Sequence, residues 1–188
     1  HDSNKDDYFH PSVHADECEL GCYLTLHPEE RQLLLPEKKT FKNVMTPLMG
    51  TVVHTIVQQK LLVDGRVEEE DIEIALVDEA RHWRGHADLR FKGKLVDIKT
   101  MRADKFKFLK DPLPYWRYQL NPYMDAMGLN ESYVLVIEMG WPFAMKEYRI
   151  NKNIGLLNEV YDKWAYVAEM IKKDTPPSHA DCERRYCV

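Results

Sequence analysis

The chain has 188 residues and a mass of 22.2 kDa, enough for one domain with a sizeable core. Its 44% hydrophobic and 11% aromatic content is that of a folded globular protein, which excludes a disordered chain. No apolar run long enough to span a bilayer is present, and a formal net charge of -5 argues against a protein that coats nucleic acid indiscriminately.

Residues 1–17 are polar and rich in His and Asp, carry no apolar leader, and are expected to be loosely ordered. Apolar spacing from Cys18 to about Leu35 predicts a short helix that Pro36 ends, followed by a Lys-rich loop at 37–42. Val52, Val53, Ile56, Val57, Leu61 and Leu62 then fall at helical period, with Gly65 placed to stop the helix. Strands are predicted over 72–77, 86–91 and 94–100, and Lys92-Gly93 between two β-rich runs predicts a tight hairpin. A helix over 114–128, strands over 132–139 and 143–150, and a helix over 153–173 complete the order. Trp141, Trp164 and the methionines are assigned to the core. The sum is a single α/β domain over 1–188, with a central mixed β-sheet flanked by helices. Residues 43–150 form its core, and 1–42 with 151–188 form helical flanks.

Charge is unevenly spread. Acids dominate residues 64–79, whereas residues 90–110 hold eight bases (Arg90, Lys92, Lys94, Lys99, Arg102, Lys105, Lys107, Lys110) against Asp97 and Asp104. A basic stretch beside carboxylates fits a phosphate-binding groove next to a metal site; a plain solvated face is the alternative. Within it, Gly85-His86-Ala87-Asp88 is followed after eight residues by Asp97-Ile98-Lys99. Strand alternation puts Asp97 and Lys99 on one face, and the hairpin returns Asp88 alongside them. Two converging carboxylates bind a hard cation such as Mg²⁺ or Mn²⁺, which can polarise a phosphate and neutralise charge developing in its cleavage. Lys99 beside them can orient the attacking water or stabilise the charged transition state. Asp-x-Lys alone is more often a surface ion pair; here the apolar Leu95-Val96 and Ile98 bury the strand, where charges need a partner or a metal.

With these residues the sequence resembles the PD-(D/E)XK nucleases, and within them the RecB-like exonucleases, including CRISPR-adaptation nucleases and related phage exonucleases. Gly50-Thr-Val-Val-His54 matches the helical Gly-x-x-x-His, Gly85–Asp88 the motif of the first acid, Asp97–Thr100 the Asp-x-Lys strand, and Gln119-Leu-Asn-Pro-Tyr123 the Gln-x-x-x-Tyr helix. The resemblance implies a restriction-endonuclease-like core. It implies a metal held by His54, Asp88, Asp97 and the Ile98 carbonyl, with Lys99 serving the water, Gln119 positioning Lys99, and Tyr123 holding the site or the DNA. Pro122 departs from a helix interior, and a helix start later than Pro114 would place it in a first turn.

The four cysteines lie in two close pairs at the chain ends, Cys18 with Cys22 and Cys182 with Cys187. Without a leader segment, a metal site is favoured over disulfides, and Zn²⁺ with His10, His14 or His179 as further ligands is one reading. Some RecB-like nucleases carry a [4Fe–4S] cluster joining the two ends, which the resemblance extends to this chain, although their one-plus-three spacing differs from the two-plus-two pattern here.

Tyr115 and Trp116 are candidates for stacking unpaired bases, with helix packing as the alternative; Arg102, Lys105, Lys107 and Lys110 are candidate DNA-backbone contacts. The reading that results is a Mg²⁺- or Mn²⁺-dependent deoxyribonuclease. The resemblance adds exonuclease action on single-stranded DNA ends, a cytoplasmic setting in a bacterial or phage-infected cell, and room for a homo-oligomer. A catalytically silent, metal-stapled nucleic-acid-binding module is the non-enzyme alternative, and hydrolysis of RNA or another phosphodiester a third.

Overall fold

Five runs of alternating burial form one sheet in the order β1-β2-β3-β4-β5: β1 Ile72–Asp78, β2 Trp83–Phe91, β3 Lys94–Met101, β4 Glu131–Glu138 and β5 Met145–Asn151. In this computed structural model, which describes residues 7–27, 41–141 and 143–178, β3 and β4 pair in parallel and the other neighbours antiparallel. The expected mixed sheet is thus present. A parallel pair needs a crossover, and α4 (Ala103–Phe106) with α5 (Pro114–Ala126) supplies it. Before the sheet come α1 (Pro11–His14), α2 (Glu19–Leu26) and α3 (Phe41–Val63); after it comes α6 (Ile154–Lys172). No helix among the described residues is long and apolar enough to cross a membrane.

The two faces are covered differently. Gly85, Ala87 and Leu89 of β2, Leu95 of β3 and Val134 and Val136 of β4 are buried, and most of them join one core cluster with Trp116, Leu120, Tyr123 and Met124 of α5. Trp164 of α6 closes that cluster, stacked on Phe9 at 5.2 Å. On the opposite face α3 lies against β3, with Gly50 beside Thr100.

Several expectations change. Residues 7–17 are not loose: Phe9 is 2% exposed and bridges β2, its N–H donating to the His82 carbonyl at 3.0 Å and its carbonyl accepting from Arg84 at 2.9 Å. Lys163 donates to the Ala15 and Glu17 carbonyls at 2.7 Å each, and Trp164 Nε1 to the His14 carbonyl at 3.3 Å, so the start of the chain is clamped onto α6. The first predicted helix is found as α2; the remainder of its predicted span lies outside the described residues. α5 begins at Pro114 and keeps Pro122 in its interior. Buried Asn121 ties that turn down, donating to the Arg117 carbonyl and accepting from the Asn153 N–H at the start of α6, both at 2.7 Å. Trp164 is core as expected, but Trp141 is 88% exposed and Met145 66%. Trp141 stands on the β4–β5 connection and Met145 begins β5, where no element among the described residues packs over them.

Candidate active site

Lys92 and Gly93 form a two-residue turn with φ of 52° and 75°, the mirror-image conformation that suits a right-twisted hairpin and that Gly adopts without strain. From it β2 and β3 pair at Phe91–Lys94, Arg90–Leu95 and Leu89–Val96, and the ladder stops there. The next opposed residues are Asp88 and Asp97. Asp88 Oδ2 accepts the Ile98 N–H at 2.7 Å, replacing a lost ladder bond with a carboxylate and bringing two acids to the mouth of the opening.

The α3 side adds further donors. His54 and Gln58, one turn apart, point into the same gap. His54 Nδ1 lies 3.5 Å from Asp88 Oδ2. Gln58 Nε2 donates to the Asp88 carbonyl at 2.9 Å and to Glu73 Oε1 at 2.8 Å. Glu73, on β1, has φ 49°, a left-handed conformation that costs a non-glycine residue energy, and alternation puts it on the face opposite half-buried Ile72 and Ile74. Ligand atoms of His54, Glu73 and Asp88 all lie within 4.8 Å of one another. That spread is what one ion bound at about 2.0–2.6 Å from each requires. Neither Glu73 nor Gln58 was singled out from sequence. Gln58 carried a usable signal, a polar residue one turn from His54 on an otherwise apolar helix face; Glu73 carried none beyond an acidic run.

The α5 side holds a second group. Lys99 Nζ lies 3.1 Å from Asp97 Oδ1, 3.0 Å from Asp97 Oδ2 and 3.1 Å from Gln119 Oε1, and Gln119 Nε2 donates to Asp97 Oδ1 at 3.3 Å. The Gln119 amide is therefore oriented by its two charged partners. Tyr123, buried, packs over Gly85, where an added Cβ would lie 2.6 Å from its hydroxyl. That close approach explains the glycine that opens the Gly-His-Ala-Asp motif.

Electrostatics follow from burial. Desolvation, reinforced by the Asp97 charge, pushes the Asp88 carboxyl up to about 7. Burial, with Lys99 nearby, holds the His54 imidazole below its usual value and so neutral. Burial opposes the charge on Lys99, but Asp97 and Asp88 outweigh it and hold the ammonium above the usual lysine value. Burial likewise raises the Tyr123 phenol. Asp97 Oδ2, buried, accepts no hydrogen bond among the described residues despite the nearby ammonium. The converging group is His54, Glu73 and Asp88, with Asp97 opposed to Asp88 across the opening, and one imidazole with carboxyl oxygens fits a hard divalent cation.

The structure thus brings His54, Asp88, Asp97, Lys99, Gln119 and Tyr123 together. Of the residues assigned to DNA, Lys105, Lys107 and Lys110 are exposed, Arg102 pairs with Asp104 at 3.0 Å, and Tyr115 is half-exposed. Trp116 is corrected: it is 1% exposed, because its position on α5 turns it into the core while Tyr115 points outward, so no base reaches it. At the start of the chain, Cys18 caps α2 by accepting the Gly21 N–H at 3.3 Å, and buried Cys22 donates to the His14 carbonyl at 3.5 Å. Cys182, Cys187 and His179 lie outside the described residues.

No family model matches the sequence, and comparison with curated proteins finds no match. Solved structures do match. An alkaline exonuclease (LHK-Exo) from Laribacter hongkongensis aligns with a TM-score of 0.66 at 14% identity, covering 89% of each chain. The same enzyme in complex with dAMP gives 0.60 at 12% identity, again over 89% of each chain. SSO0001 gives 0.55 at 18% identity, over 97% of this chain and 84% of its own. The chain has the fold of LHK-Exo and SSO0001.

Proposed function

We propose that the protein is a divalent-metal-dependent nuclease that hydrolyses DNA phosphodiesters, as an exonuclease acting on single-stranded ends. The observation that carries this reading is the opening between β2 and β3, where Asp88 and Asp97 meet a His54–Glu73 pair on one side and a Lys99–Gln119 clamp on the other. His54, Glu73, Asp88 and Asp97 would hold Mg²⁺ or Mn²⁺, which supplies Lewis-acid stabilisation of a phosphate under attack. Lys99, held charged, acts as a donor and not as a base: its ammonium orients the attacking water or a phosphate oxygen. Gln119 fixes Lys99 and is a positioning residue, and Tyr123, one turn further along α5, holds the site or the DNA. The likeness of fold to an exonuclease crystallised with dAMP, a nucleoside monophosphate, agrees with a DNA end as substrate.

The cysteine centre is a separate part of the proposal. Cys18 and Cys22, beside the α6 clamp, would share an iron–sulfur cluster or zinc with Cys182 and Cys187; metal analysis and absorption near 400 nm of an anaerobic preparation test it. The nuclease reading is tested by incubating end-labelled single- and double-stranded DNA, and RNA, with Mn²⁺ with and without chelator. Chelator-sensitive release of mononucleotides from single-stranded DNA is expected. Binding of DNA with no cleavage under any metal overturns the reading in favour of a silent binding module.

A further inference from the structure

The connection from β4 to β5 holds an unusual group of side chains outside the acidic site. Trp141 is 88% exposed and Phe143 55%, their ring centroids 6.1 Å apart at 83°. Phe143 has φ 59°, a left-handed conformation that bulky side chains avoid, and here it keeps the ring out of the core. The hairpin is nevertheless well tied at its base, with Glu138 N–H on the Ala144 carbonyl at 2.9 Å and Phe143 N–H on the Gly140 carbonyl at 2.6 Å. Two large aromatics held in water on an anchored turn serve something that binds them.

Their surroundings indicate what. The Met139 N–H donates to the Met101 carbonyl at 2.7 Å, and Gly140 abuts Ala103, so the turn stands at the end of β3, the strand of Asp97 and Lys99. Lys146 pins the neighbouring 106–109 segment to β5 by donating to the Phe106 and Leu109 carbonyls at 2.7 and 2.8 Å. That segment carries exposed Lys105, Lys107 and Lys110, with Lys107 over the exposed Phe108 ring at 4.8 Å. Of the acids at the two ends of this run, Asp104 is engaged with Arg102 and Asp111 follows Lys110, and among the described residues no ion pair is formed by Lys105 or Lys107. Exposed rings beside exposed lysines match the two needs of an unpaired nucleic-acid strand, a face on which bases stack and cations for its phosphates.

We propose that Trp141 and Phe143, with Lys105 and Lys107, form a base-stacking platform that holds single-stranded DNA beyond the end of β3. This rests on the nuclease reading for its biological use, but its test is separate. Trp83, Trp116 and Trp164 are 0%, 1% and 1% exposed, so Trp141 is the tryptophan whose emission a stacked base can quench directly. The experiment titrates the full chain, in chelator so that no cleavage occurs, with oligo(dT) while tryptophan fluorescence is read. Quenching is expected, and Trp141→Phe should abolish it with little change in affinity. Trp141→Ala with Phe143→Ala should weaken binding about tenfold. Lys105→Ala with Lys107→Ala should flatten the dependence of log K on log salt by a little over one, at about 0.7 per lost contact. The aromatic double variant should still melt with the parent and still release nitrophenol from a nitrophenyl ester of thymidine monophosphate, too short to reach the tip. Unchanged oligo(dT) affinity in that variant, or quenching that survives Trp141→Phe, overturns the platform. So does a Trp141 response to phosphatidylglycerol vesicles with none to oligo(dT). Failure of the nuclease reading would show instead as no hydrolysis of any substrate, with the quenching titration intact.

Discussion

Replacing Asp88 by Asn is expected to stabilise the metal-free protein in mildly alkaline solution while removing its response to metal. The Asp88 carboxyl is pushed up to about 7, first by burial and then by the Asp97 charge. A carboxyl that holds its proton more tightly folded than unfolded contributes stability below its ordinary value of 3.8, and that contribution is lost as pH rises through about 7. At roughly 1.4 kcal/mol per tenfold change in proton affinity, the full displacement corresponds to about 4 kcal/mol. The Asp88 side chain is 17% exposed, so water screens part of this. A gain on the order of 2 kcal/mol for the Asn variant near pH 8 is expected, a rise of about 4–8 °C in melting temperature for a chain of this size. The gain should fall to under half near pH 5 and vanish only below the ordinary value of 3.8, where the carboxyl is protonated folded and unfolded alike. The Asn side-chain oxygen can still accept the Ile98 N–H, so the local bond survives. The assay is thermal melting in chelator at both pH values, then with Mn²⁺. Metal at a hundredfold excess over its dissociation constant should stabilise the parent by about 2.7 kcal/mol and leave the variant nearly unmoved. An Asn variant that melts at or below the parent near pH 8, or that keeps the parent's metal response, would refute the burial argument for Asp88.

Lys99→Ala should lower single-stranded DNA cleavage by at least about 100-fold while preserving Mn²⁺-induced stabilisation, since the ammonium is placed for the reaction and not for the ion; a parallel loss of metal response would place Lys99 in the metal's own support. Glu73→Gln should weaken metal affinity by about tenfold or more, read by the metal concentration needed to shift the melt, and unchanged affinity would remove Glu73 from the ligand set. Gly85→Ala drives a Cβ to 2.6 Å from the hydroxyl of Tyr123, which is 2% exposed; a loss of about 1–3 kcal/mol with a fall in kcat is expected, and a neutral melt with full activity would show that Tyr123 gives way freely.

How much of this was legible in the sequence depends on what each feature is made of. The strands and the Lys92-Gly93 hairpin were legible because alternation and turn chemistry are local, and the Asp88–Asp97–Lys99 juxtaposition follows from them alone. Gln119 on α5 was indicated by the resemblance of Gln119-Leu-Asn-Pro-Tyr123 to the RecB-like Gln-x-x-x-Tyr helix, since its spacing from Tyr123 alone fits a plain polar patch equally well. Glu73 was hidden because it is one acid in an acidic run, and only the packing of α3 over that face of the strand, where Gln58 and His54 meet it, marks it out. The adjacent pair Tyr115 and Trp116 was read as one aromatic patch, yet neighbours on a helix diverge by about 100°, so one faces water and the other the core. Trp141 was misread in the opposite sense: hydrophobicity assigns it to the interior, whereas the short, tied hairpin leaves it no interior to enter. Phe9 sits in a polar segment, and its burial is set by a long-range bridge to β2 and a stack on Trp164, neither of which local pattern encodes.

The charges gathered between β2 and β3 also explain why the Lys99–Gln119 clamp and the His54 and Glu73 ligands occupy opposite faces. With Glu73, Asp88 and Asp97 all ionised, Lys99 charged and His54 neutral, the group would carry a net charge of two negative units, which one divalent ion balances. Without that ion, the same group relieves its charge by holding a proton on Asp88, which is where burial and the Asp97 field raise the proton affinity most visibly. Had Lys99 pointed to the α3 face, it would have neutralised Asp88 directly and left no room or need for a metal. Strand alternation keeps it on the α5 face beside Asp97 and Gln119, so a fixed cation and a site for an exchangeable one share two acids without displacing each other. A single splayed ladder, ended at Leu89–Val96, therefore puts Asp88 and Asp97 between the ammonium on one side and the His54 and Glu73 ligands on the other.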